Sequence, residues 1–178
     1  ITKERRMKKT FLAILAGIMM LSAPVLAQTN KRLEMLGTFG SWTAYKMDEK
    51  DGKLCYMASV PQKSEGKYKR RGDVVLIVAH RPNEKTWDVV SLTAGYTYKK
   101  DSSASIKIDN QKAISLFTHE DTAWANSSKA DSQLVRMMKA GNKAVIQGKS
   151  SLGTLTTDTF SLSGFTKAYN AISKACGK

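Results

Sequence analysis

Histidine and cysteine are scarce in this chain, two of each in 178 residues, and proline occurs three times. Hydrolase chemistry needs a nucleophile, a base and a group that orients the base, and His80 and His119 are the only imidazoles available as bases. His80 closes the apolar run Val74–Ala79 and reads as a strand-end residue. His119-Glu120-Asp121 lacks a second histidine four residues on, so it is not the two-histidine helical zinc motif. Gly148–Gly153 lacks the Gly-Lys-Ser/Thr ending of a phosphate loop and reads as a turn. Ser163 lacks the preceding glycine of a nucleophile elbow and reads as a helix cap, and Asp48, Glu49 and Asp51 lack the alternate spacing of a calcium loop. No enzymatic activity, cofactor or metal is expected.

Long apolar runs are also missing, with one exception. Met7-Lys8-Lys9-Thr10 is followed by the apolar stretch Phe11–Leu21 and then Ser22-Ala23-Pro24-Val25-Leu26-Ala27. A charged start, a short apolar middle and a small-residue end are the pattern of a secretory signal peptide, and the stretch is too short for the about 20 residues a membrane-spanning helix requires. Residues 1–27 are therefore expected to be an upstream extension (Ile1–Arg6) plus a cleaved leader, with the mature chain a single domain over 28–178. No cysteine follows the small residues, which disfavours a lipid anchor.

Acidic residues are few: 15 Asp and Glu stand against 29 Lys and Arg, for a net charge of +14. Residues 1–27 hold five of those cations and one of the acids, so +10 remains on the mature chain. An exported protein of that charge is expected to meet anionic envelope components, or another envelope protein, rather than nucleic acid. Membrane contact is expected to be peripheral, in the periplasm or outer envelope. Oligomeric state is not legible.

From Thr38 onward, short segments rich in Val, Ile, Thr and aromatic residues alternate with Gly, Asp, Asn and Ser clusters. Strands are predicted over 42–47, 54–60, 73–80, 87–92, 105–109, 113–117, 144–147 and 155–162, with 28–36 a flexible lead-in. Asp51-Gly52 and Asp109-Asn110 are suited to hairpin turns. Ser128–Asp131 resembles a capping box for a helix over 129–140 that ends at Gly141, and Phe165, Tyr169, Ile172 and Cys176 share one face of a C-terminal helix. The expected fold is mainly β, an antiparallel β-sandwich with a short mid-chain helix and a C-terminal helix.

Two further features point to sites. Cys55 and Cys176 are either two small buried side chains or, in an oxidising compartment, one disulfide stapling the C-terminal helix to the sheet. The densest positive charge is in Lys63–Arg71, between two predicted strands, read as a basic hairpin loop in which Lys67, Tyr68, Lys69, Arg70 and Arg71 are suited to an anionic surface.

Phe39-Gly40-Ser41-Trp42-Thr43-Ala44-Tyr45, the strand with Cys55-Tyr56-Met57, and the segment Thr157–Tyr169 with Ser161-Leu162-Ser163-Gly164-Phe165-Thr166 resemble the invasion-associated locus B family of exported bacterial proteins. The resemblance implies a β-sandwich envelope protein, similar to one linked to host-cell entry, with no established enzymatic activity. Where many members carry further cysteines, this chain has Lys46 and the stretch His119–Ala123, which leaves Cys55 with Cys176 as the only intrachain pair that could form. The implied function is a binding or structural role at the envelope. Two alternatives carry their own discriminators: a periplasmic hydrolase would cluster His80 or His119 with a carboxylate in a pocket, and a small-ligand carrier would hold a deep apolar cavity between its sheets.

Overall fold

The computed structural model describes residues 32–178. The leader read at 7–27 and the mature start at Gln28 lie outside the described residues.

Eleven strands and two helices follow one another along these residues. The strands are β1 (Leu33–Phe39), β2 (Trp42–Glu49), β3 (Gly52–Ser59), β4 (Lys63–Gly66), β5 (Val75–Arg81), β6 (Thr86–Thr93), β7 (Ser103–Ile108), β8 (Ile114–His119), β9 (Thr122–Ala125), β10 (Lys143–Lys149) and β11 (Leu155–Ser161). Helix α1 (Ser128–Ala140) sits between β9 and β10, and α2 (Phe165–Cys176) follows β11.

Every pairing between the strands is antiparallel, and together they form one sheet in the order β1-β2-β3-β5-β6-β9-β8-β7-β10-β11-β4. The sheet curls around its core, bringing the β1–β2 turn and the end of β3 back to the β11–β4 side of that order. The chain passes from β3 through Val60–Gln62 straight into β4, at the opposite edge, where the Gln62 amide donates to the Thr159 carbonyl at 2.8 Å. At the same seam the Ser41 amide donates to the Ser163 carbonyl at 3.0 Å.

Alternation produces the core. Leu76, Val78 and His80 on β5, Val90 and Leu92 on β6, and Ala104, Ile106 and Ile108 on β7 all point inward at every second position. Trp42, Met57, Phe160, Phe165 and Met138 are fully buried and fill the space between the walls, where a carrier would need a deep cavity.

The helices close the core. Ser127, one residue before the predicted cap, is extended and accepts the Ala130 amide at 3.2 Å, so the cap lies one position earlier than the sequence suggested. Gly141 is extended, not left-handed; its small size is what matters, because a Cβ there would strike Ile108. Ser163 does not cap α2 either. Gly164 takes that position at φ +85, a conformation that disfavours any side chain. The face of α2 predicted from spacing is the buried one, with Phe165, Tyr169, Ile172 and Cys176 inward.

Both predicted hairpins form: β2 and β3 turn through Lys50-Asp51, and Asp109 (φ +45) starts the turn from β7 to β8. Three strands were not predicted. β1 occupies part of the supposed lead-in, β4 part of the supposed loop, and β9 follows a two-residue turn at Glu120-Asp121.

Candidate functional site

The register of the β4–β11 ladder sets Gly66 opposite Thr156, so the chain leaving β4 runs directly beside the hairpin that connects β10 to β11. Between them is a cleft of about 340 Å³, with Lys67, Tyr68, Lys69 and Arg70 on one wall and Ser150, Ser151, Leu152 and Thr154 on the other. Tyr96 and Thr156 form the floor, joined by a 2.7 Å hydrogen bond between their hydroxyls. Three cations and several hydroxyls line a concave surface that is otherwise largely apolar, an arrangement that suits an anionic ligand with an apolar part. A second opening against the same hairpin, lined by Gly66, Lys67, Gly153, Thr154 and Leu155, widens the approach.

Arg71 is a correction to the sequence reading. Grouped there with the surface cations, its side chain is only 5% exposed and is committed internally. Its two terminal nitrogens donate to the two Asp158 oxygens at 2.8 and 2.7 Å, and its Nε donates to the Ala94 carbonyl at 2.7 Å. Ser64 adds a hydrogen bond to Asp158 at 2.7 Å. Burial works against the Arg71 charge, but the Asp158 hydrogen bonds outweigh it and hold the proton more tightly than usual. The guanidinium also lies 5.5 Å from the centre of the Tyr68 ring and 4.9 Å from that of Tyr96. Arg71 therefore positions the walls of the cleft, and Lys67, Lys69 and Arg70 face solvent. The base of the loop is pinned where the Gly72 amide meets the Gly95 carbonyl at 2.8 Å, an approach that leaves no room for a Cβ on Gly95.

The sequence reading saw the hairpin 148–153 as a turn without a role. What it missed is that this turn forms the opposite wall; the only local signal was Leu152 in an otherwise polar turn.

A second polar cluster lies inside the molecule, where β5, β6 and α2 meet. His80 is fully buried. Its Nδ1 accepts the Asp88 backbone amide at 3.1 Å, which leaves the proton on Nε2 to be donated to the Ser173 hydroxyl at 3.2 Å. Ser173, His80 and Asp88 stand in the order of a hydrolytic triad, but the imidazole presents a proton to the serine instead of a lone pair. Burial, followed by the charge of Lys178, lowers the His80 pKa to about 4.

Asp88, at φ +63, receives hydrogen bonds from Tyr169 at 2.7 Å, from Ser132 at 3.2 Å and from Lys178. Burial pushes its carboxyl up, but the Lys178 and Tyr169 hydrogen bonds outweigh that and hold it below the ordinary range. Lys178 reaches this site because Gly177, left-handed at φ +75, reverses the chain after α2 and lets the Lys178 amide bond back to Ser173 at 2.9 Å. Asp131 accepts the Val90 amide at 2.8 Å. Burial pushes its pKa up to about 6; the Val90 amide opposes the shift and the Asp88 charge adds to it.

His119 is exposed and, with Asp131, lines a shallow apolar cleft beside the stacked rings of Phe117 and Trp124, whose centres are 5.4 Å apart. The described hydrogen bonds and ion pairs do not join His119 to Asp131, and the lining includes no serine, threonine or cysteine. Among the described residues no three His, Cys, Asp or Glu side chains are grouped to hold a metal. No described helix is long and apolar enough to cross a membrane.

Cys55 and Cys176 are joined in a disulfide with Cα atoms 6.0 Å apart, tying β3 to the last turn of α2.

The fold and the cleft thus define a small antiparallel β protein, disulfide-linked, with a basic groove at one end of a curled sheet. The family model described as Invasion associated locus B (IalB) protein matches residues 42–173, and the chain belongs to this family. No curated protein and no solved structure matches it.

Proposed function

We propose that this IalB-family protein is an exported, non-enzymatic envelope protein that binds anionic material through the cleft between the β4–β5 loop and the β10–β11 hairpin. The observation that carries the reading is that Lys67, Lys69 and Arg70 line one cleft together with Ser151 and Thr154, over a floor held in place by the neutralised Arg71–Asp158 pair. The leader pattern at 7–27 and the Cys55–Cys176 disulfide support a location outside the cytoplasm. The orientation of His80, with its acceptor nitrogen already occupied, supports a structural role for the Ser173–His80–Asp88 cluster. A part in contact with host cells, which the family's description suggests, would draw on the same anionic-surface chemistry.

The test is binding of the purified protein to phosphatidylglycerol vesicles and to soluble inorganic polyphosphate, over a range of salt. Lys67→Gln, Lys69→Gln and Arg70→Gln together should weaken both, and salt should weaken both because the Debye length is only about 8 Å at physiological ionic strength. Arg71 stays in place, since its loss would disturb the fold. If the triple variant binds both ligands as the parent does at low salt, the cleft is merely a solvated surface and the reading is wrong.

A further inference from the structure

The cleft is not uniformly polar. Leu152 is 92% exposed and Leu155 is 71% exposed, both on the hairpin that forms one wall. A single exposed leucine needs no account. Two on one tip, held outward by a hydrogen-bonded turn, are a different matter.

The Ser150 amide donates to the Thr154 carbonyl at 2.9 Å, the Gly153 amide to the Ser150 carbonyl at 2.8 Å, and the Ser151 amide to the Thr97 carbonyl at 2.8 Å. The Thr154 amide adds a bond to the Ser150 hydroxyl at 3.1 Å. The backbone of the tip is therefore preorganised, and projecting its leucines costs little further backbone ordering on binding.

Positive charge surrounds it. Lys67 lines the openings on both sides of the tip, Lys149 pairs across the ladder from Leu155, and Lys99 bonds through its amide to the Lys149 carbonyl. Lys69 and Arg70 line the cleft on one side of it with Tyr68, which is 37% exposed. The nearby acids are largely spent: Glu65 faces Lys63 at 2.8 Å and Asp158 is held by Arg71.

An apolar point flanked by lysine and arginine, with a tyrosine in the neighbouring wall, matches a bilayer interface in chemistry and in layering. A soluble polyanion would satisfy the cations and leave the leucines without purpose. We propose that this end of the molecule docks on a lipid bilayer bearing anionic headgroups, with Leu152 and Leu155 entering the headgroup–acyl boundary and the surrounding cations contacting phosphates. The proposal rests on the reading of the cleft as an anion-binding site and names its partner as a lipid surface.

The test separates insertion from charge. Purified protein is sedimented with phosphatidylglycerol-containing vesicles, and in parallel titrated with inorganic polyphosphate. Leu152→Ser with Leu155→Ser should weaken vesicle binding at least about tenfold, from the loss of two buried leucine side chains. Polyphosphate binding should not change, and an unchanged near-ultraviolet circular dichroism spectrum would show the fold intact. In a second variant, Leu152→Trp, the added fluorescence should shift to the blue with vesicles and not with polyphosphate.

Vesicle binding undiminished in the leucine variant, with no blue shift in the tryptophan variant, overturns insertion; the anion-binding reading then still stands if Lys67→Gln, Lys69→Gln and Arg70→Gln weaken binding. If that charge variant also binds as the parent does, both fail together. Binding to polyphosphate with none to vesicles overturns the lipid surface alone.

Discussion

Gly164 lies so close to the backbone carbonyl of Phe39 that a Cβ on Gly164 would occupy the same space as the carbonyl oxygen. Gly40, at φ +57, also leaves no room for a Cβ under the Ser163 carbonyl, and the Trp42 indole donates to the Ser161 carbonyl at 3.0 Å while its ring meets Phe165 edge-on at 5.0 Å. The first and last of the three stretches that carried the family resemblance thus interlock across the seam of the curled sheet, and their role is architectural. Replacing Gly164 by alanine adds a left-handed residue, costing about 1–2 kcal/mol, and an overpacked contact costing about 1–3 kcal/mol more. Urea unfolding should therefore show a loss of about 2–5 kcal/mol. A midpoint equal to that of the parent would mean that the seam is not close-packed.

The loop cations divide into two kinds, and stability measurements should tell them apart. Arg71→Gln leaves Asp158 buried without its charge partner, a change that costs about 3–5 kcal/mol. Lysine should restore little, because it cannot reproduce the bidentate grip and the stacking against Tyr68 and Tyr96. Lys67→Gln, Lys69→Gln and Arg70→Gln should stay within about 0.5 kcal/mol of the parent each. Equal stability of Arg71→Gln and Arg70→Gln would contradict the assignment.

The disulfide spans a sequence separation of 121, and on the chain-entropy account a closure of that length stabilises by up to about 5 kcal/mol. Reduction should lower the guanidinium midpoint and free α2 first, since Cys176 lies in its last turn. Thiol labelling of denatured, unreduced protein should find no free sulfhydryl. Two labels per chain would refute the bond.

Strands were legible where one face is buried, because burial writes a period of two into the sequence. β5 alternates over its whole length. β1 and β4 were not legible for the opposite reason: as the two edges of the sheet they are largely exposed, with Leu33 and Met35 open on β1 and all four residues of β4 exposed, so neither carries a full alternation, and the backbone ladders to β2 and β11 do much of the holding. The charge of the candidate site could be read directly, as four adjacent cations around Tyr68. The role of Arg71 could not, since its partner Asp158 lies 87 residues along the chain and only the β4–β11 pairing brings the two together. The facing hairpin was invisible for the same reason. The buried cluster around His80 likewise depends on Lys178 and Ser173 arriving from the far end of the chain.

That cluster makes a prediction about acid. His80 and Asp131 are both uncharged in the folded protein near pH 5, one because burial lowers its pKa to about 4 from 6.5 and the other because burial raises its pKa to about 6 from 3.8. Their linkage to stability has opposite sign. As pH falls from 6.5 toward 4 the unfolded chain protonates His80 and the folded one does not, so stability drops, by at most about 1.4 kcal/mol per pH unit. As pH falls from 6 toward 3.8 the folded chain protonates Asp131 and the unfolded one does not, so stability rises with a similar slope. Asp88, Lys139 and Lys178 also act on His80, but Asp88 titrates below this window and the two lysines stay charged throughout it. The parent should therefore lose little stability between pH 6.5 and 4 from this region, because the two slopes offset each other. Asp131→Asn keeps an acceptor for the Val90 amide and removes the compensating proton, so its stability relative to the parent should fall steadily on acidification across that range. His80→Asn should show the reverse, a relative gain. Urea midpoints measured at half-unit steps of pH decide it: curves for Asp131→Asn and the parent that run parallel would show that Asp131 is not the group that offsets His80.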